Sequence, residues 1–154
     1  MTAAELPNQL RWLSACGVRH FQPWYLLTEV EEYASASRQF AAEDVKGRRV
    51  FTFARRHDRD DFAGLLIRRG VVTDEVIGFH PVFGGTKHAL PVRKRAWDIV
   101  TSTHRDVFAF FAGVVLPDAR DWASVENAAD LEPDWRGPVA RPGEEHAPGG
   151  SERT

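Results

Sequence analysis

The sequence predicts an α+β domain: an antiparallel β-meander in the middle of the chain, packed against N- and C-terminal helices. The apolar residues change period along the chain, from about 3.6 to about 2 and back. The segments joining the central strands are short turns, whereas parallel pairs need long crossovers. With 154 residues, the chain has material for one domain and too little for two ordinary ones.

The elements follow in order. Leu6, Leu10 and Leu13 form a stripe on one helical face, and Gly17 is placed to stop that helix. After Pro23, the stretch Trp24–Phe40 carries Leu26, Leu27, Val30, Tyr33, Ala34 and Phe40 in rough helical phase, with Glu29, Glu31 and Glu32 in its early turns. Lys46–Arg49 reads as a turn. The β-branched and aromatic run Val50–Ala54 is a strand, which ends in the polar string Arg55–Asp61. Phe62–Ile67 is the next strand, Arg68-Arg69-Gly70 a turn, and Glu75–Phe79 a further strand closed by His80-Pro81. The strands are therefore expected to be concentrated between Val50 and His80.

Gly84-Gly85-Thr86 opens a loop with Lys87, His88 and Arg93–Arg95. Trp97–Val115 returns to helical spacing, with Trp97, Val100, Val107, Phe108, Phe111 and Val114 expected inward. A break at Thr101–Thr103 would make Arg105–Val115 a separate helix. Pro117 suits a first helical turn, and Asp118–Asn127 supplies a last short helix. Residues 1–132 form the expected domain. Residues 133–154, PDWRGPVARPGEEHAPGGSERT, form a Pro/Gly-rich segment without apolar period, expected as a flexible tail with Trp135 as its one anchor.

Composition excludes several classes. At 43% hydrophobic and 27% charged, with ten Phe and five Trp, most of the chain has the material of a packed core. A net charge of −2 offers no bulk attraction to a nucleic-acid backbone, so no direct nucleic-acid partner is expected. The single Cys16 cannot close an intramolecular disulfide, and no basic-then-apolar leader or membrane-length apolar run is seen. A cytoplasmic protein without a membrane partner is expected.

His57-Asp58-Arg59-Asp60-Asp61 is the densest polar cluster. Imidazole and carboxylates suit a metal, but neighbours on an extended segment point to opposite faces, and no His-x-x-x-His or Cys-x-x-Cys pair exists. A structural or binding turn is the reading adopted, with no metal and no cofactor. Cys16 lies at a helix C-terminal end, where the dipole disfavours a thiolate. No Gly-x-Ser-x-Gly elbow occurs, and Gly84-Gly85-Thr86-Lys87 lacks the rest of a phosphate loop. No catalytic residue is assigned, and His80 reads as a packed histidine.

Three segments resemble bacterial proteins of the SUKH superfamily, many of which are immunity proteins for polymorphic toxins. Phe53–Ala63 looks like that group's strand, acidic turn and strand, with Asp58, Asp60-Asp61 and Ala63 in the matching places. Gly17–Leu27 is similar to a Gly-to-Pro-Trp stretch of some members, and Val76–Phe83 to the following strand with its His. The order of elements matches from about Leu6 to Asn127. Departures exist: Leu6-Pro7 is not followed by the Asn-Gly-Gly of many members, and Arg59 stands where Asn is frequent. The resemblance implies an α+β fold, no catalysis and a protein-binding role. The expected function is neutralisation of a cognate protein toxin, for example a nuclease, by direct binding. The contact residues expected are Arg55, Arg56, His57, Asp58, Asp60 and Asp61, with the carboxylates standing in for phosphates before a basic groove. Two alternatives stay open: a small metal-dependent hydrolase built on His57, Asp58, Asp61 and His80, and an intracellular scaffold or regulatory domain.

Overall fold

The computed structural model describes residues 6–26, 30–82 and 98–130. The Gly84–Arg95 loop, Trp97 and the 133–154 tail lie outside the described residues. The fold is α+β. A six-stranded antiparallel sheet is ordered as a simple meander, each strand pairing with the next in sequence. Its strands are β1 (His20–Phe21), β2 (Trp24–Leu26), β3 (Arg49–Arg56), β4 (Phe62–Arg68), β5 (Val71–Phe79) and β6 (Val100–His104). Helices α1 (Asn8–Ala15) and α2 (Val30–Glu43) come early. A helical run late in the chain comprises α3 (Val107–Phe110), a π-helical stretch Phe111–Val115 and α4 (Leu116–Ala123).

Local chemistry accounts for the punctuation. Helix α1 ends as Gly17 takes φ +72°, its N–H donating to the Ser14 carbonyl while Val18 N–H reaches back to Leu13. That is the double bond of a Schellman stop, which needs a residue free of a Cβ penalty. Arg69 and Gly70 both have positive φ and form the two-residue loop between the paired Arg68 and Val71. This backbone twist matches the strands it joins. Asp106 starts α3 by accepting the Ala109 N–H at 2.8 Å.

Helices cover both faces of the sheet. Along β4, Ala63 and Leu65 point to one face and Phe62 and Leu66 to the other, as a strand's period requires. The first face packs on Leu10 and Leu13 of α1 and on Val107, Phe110, Phe111 and Val115 of the late helical run. The second packs on Ala36 and Phe40 of α2.

Two expectations are corrected. Trp24–Leu26, expected to begin a helix, is strand β2, paired with Ala54–Arg56 of β3. Val100–His104, expected within a helix, is strand β6, paired with β5. Each segment supplies what a sheet edge accepts: Trp-Tyr-Leu in one, β-branched Val100, Thr101 and Thr103 in the other. Strands therefore extend beyond the Val50–His80 window on both sides. Pro117 falls in the first turn of α4, as expected, and α4 follows the π-helical stretch without a break. A proline there cannot bond back to the carbonyl of Gly113, and the wider π turns lie immediately before it.

Candidate functional site

The polar turn between β3 and β4 occupies residues 57–61. Arg55 and Arg56 are consecutive on β3, so they leave opposite faces of the sheet. Arg56 pairs with Trp24 across β2 and β3, and both side chains meet α4. The Asp118 Oδ2 there accepts from Trp24 Nε1 at 2.7 Å and from Arg56 Nη1 at 2.9 Å. The rest of the guanidinium turns to Asp58 in a two-pronged pair, Nε to Oδ1 and Nη2 to Oδ2, both at 2.9 Å. Arg56 is buried, and this clamp ties the turn to α4 and β2. Burial by itself would push the Asp58 carboxyl up, but the hydrogen bonds and charge of Arg56 outweigh it and hold it below the usual carboxylate range.

The remaining turn residues diverge. The His57 backbone N–H and ring Nδ1 both lie 3.0 Å from the Pro23 carbonyl. A carbonyl only accepts, so the neutral ring carries its proton on Nδ1. Its Nε2 accepts from the Gln22 amide at 2.9 Å, and the ring meets Trp122 edge to face. Asp61 accepts from His80 Nδ1 at 2.8 Å and pairs with Arg59. Arg55 crosses to the other face, where it lies over the Phe62 ring and 4.0 Å from Asp60. Asp60 and Arg59 form the exposed tip, with about half their side-chain surface in water (50% and 58%).

The six expected contact residues are thus adjacent in the fold but do not share a surface. Arg56 and Asp58 form an inward clamp, His57 braces the β1–β2 turn, and Asp60 faces solvent. The four residues of the metal-hydrolase alternative are split: only Asp61 and His80 touch. Among the described residues, no group of three or more His, Cys, Asp or Glu side chains is placed to hold a metal ion.

Beside the turn, on the α4 side, lies an open groove of about 520 Å³. Trp24, Phe62 and Phe110 border it with largely buried rings; Arg59, Asp61, His80 and Asp118 supply its charged and polar lining. Its β6 side comes from an irregularity in pairing. Gly78 faces Ser102 and Phe79 faces Val100, so Thr101 is an extra residue bulging from β6. Thr101 and Ser102 both line the groove as a result. Gly78 makes room for them: an added Cβ would overlap Ser102 Oγ and come within 3.2 Å of Thr101 Oγ1. Ser102 Oγ also lies 3.0 Å from His104 Nε2, and burial lowers the pKa of His104, favouring its neutral ring.

Sequence reasoning missed Asp118, Trp24, Thr101 and Ser102. Gly78 inside a β-branched run was a usable signal, because a lone strand glycine marks close approach. Nothing local marks Asp118, which meets Arg56 from 62 positions away. Comparison with protein-family models, with curated proteins and with solved structures gives no match for this chain.

Proposed function

We propose that this chain is a non-catalytic binding protein that neutralises a protein partner by direct contact, in the manner of an immunity protein covering a toxin. The observation that supports this reading best is the Arg56 clamp. Its guanidinium is engaged in holding the 57–61 turn to α4, and Asp60 and Arg59 project from that braced base. A turn fixed before contact loses little conformational freedom on binding, which favours tight association. The likeness of Phe53–Ala63 to the SUKH strand–turn–strand element supports a toxin as the partner, and a turn with Asp58, Asp60 and Asp61 against the one Arg59 suits a nuclease toxin's basic groove. In this reading Asp60 makes direct contact, Asp58 and Asp61 add their field, and Arg55, Arg56 and His57 position the turn.

The experiment uses the protein encoded immediately upstream of this chain's gene, where the reading expects a toxin. Wild type should bind that toxin and suppress its activity. D60N should slow association several-fold and flatten its salt dependence while thermal unfolding stays unchanged. A toxin that remains active in the presence of excess protein, or a D60N association rate equal to wild type, overturns the reading.

A further inference from the structure

We propose that the groove between the 57–61 turn, β6 and α4 is a guanidinium site, which takes an arginine side chain presented by a partner protein. The inference rests on the binding reading above and names the anchor group that such a partner would insert. Two observations point to it.

The first is the set of polar atoms left open. Asp118 uses Oδ2 for both Trp24 and Arg56, and its Oδ1 has no hydrogen-bond partner among the described residues. Asp61 accepts from His80 Nδ1–H, and in that tautomer Nε2 is an acceptor. Thr101 Oγ1, placed on the groove by the bulge, likewise has no hydrogen-bond partner among the described residues. Each of these three atoms can accept, and two of them can only accept. A group made entirely of donors is the complement, and guanidinium carries five N–H bonds.

The second is charge. Asp58 and Asp118 share the single guanidinium of Arg56, while Asp61 is matched by Arg59. One negative charge is left over beside the open Asp118 oxygen. A lysine ammonium would use the charge but not the spread of acceptors that a planar five-donor fork can reach, and an anion would meet the uncompensated carboxylate.

The test needs no partner. N-acetyl-arginine amide is titrated into the ¹⁵N-labelled full chain, with N-acetyl-citrulline amide and acetate as comparison probes. Saturable shifts are expected at the Trp24 indole N–H and at the Thr101 and Ser102 amides for the arginine probe. The citrulline probe, nearly the same shape without charge, should bind about tenfold more weakly, the loss expected when a charge-assisted hydrogen bond becomes a neutral one. D118N should weaken the arginine probe to a similar degree. Because Asp118 also braces Arg56, T101V serves as the second variant: it removes an open acceptor from an exposed residue, and it should weaken binding about threefold. Equal binding of arginine and citrulline probes, stronger shifts with acetate, or no saturable shift at these positions overturns the proposal. Those outcomes leave the toxin-binding reading standing, because the D60N association experiment is read on a different residue and a different ligand.

Discussion

At the scale of single residues, two glycines of the sheet carry different loads. A Cβ on Gly64 would sit 2.8 Å from Val50 Cβ and 2.9 Å from its Cγ2. Val50 is buried and fixed to the backbone, so it cannot step aside. A Cβ on Gly78 meets instead the Ser102 hydroxyl, which can rotate if it gives up His104. G64A should therefore cost about 1–3 kcal/mol as an overpacked core, and G78A about 1 kcal/mol, one hydrogen bond. Denaturant unfolding of the two variants checks the order. The double variant G78A/S102A should be no less stable than S102A, since the bond is already gone. The same scale shows what sequence could not reveal. Asp58 and Arg56 stand two apart, and an ion pair between them is a natural reading of the string. That Asp58 faces the protein rather than a partner depends on Asp118 and Trp24 arriving from other elements.

At the scale of elements, the turn and its neighbours act as one unit through Arg56. R56A would leave Asp58 and Asp118 facing each other without their shared cation. Removing one partner of a buried pair costs about 3–5 kcal/mol, and the low end applies because both carboxylates keep a quarter of their surface in water (26% and 27%). The pH dependence has a definite sign. The folded pKa of Asp58 lies below its unfolded value, which is about 4. Its contribution is therefore present above that pH and is lost as pH falls through the folded value. Urea midpoints between about pH 5 and 2 should fall more steeply in wild type than in D58N. Asp44 keeps part of the slope in both. Burial raises its carboxyl, but Arg48 pulls it below the ordinary range by more. Helix α1, the central strands and their turns were legible because each carries its own period and its own stop. Strands β2 and β6 were not, because each is short and belongs to the sheet through the neighbouring edge it covers. Local spacing at Trp24–Leu26 and Val100–His104 fits a helix nearly as well, and the free edges of β3 and β5 decide the matter.

At the scale of the whole molecule, the sheet separates two tasks. The Arg56 clamp and the late helical run lie on one face, while Ala36 and Phe40 of α2 pack on the other. Strand β2 is shorter than β3 and pairs only with Ala54–Arg56, so the N-terminal half of β3 lacks a strand on that side. Helix α2 supplies what is missing: Ser37 Oγ accepts the Thr52 backbone N–H at 3.0 Å and donates to Thr52 Oγ1 at 3.1 Å. Thr52 is fully buried, so S37A strands a backbone donor away from water. That should cost about 1–3 kcal/mol in stability. The Asp60 tip, beyond the end of β3, should not notice. At a temperature where the S37A variant is still folded, its association with the proposed toxin partner should match wild type in rate and in salt dependence. D60N should do the reverse, keeping stability and losing rate. Measuring unfolding and association on both variants crosses the two properties. If S37A slows association as much as D60N does, the α2 face takes part in binding, and the contact surface is not confined to the turn.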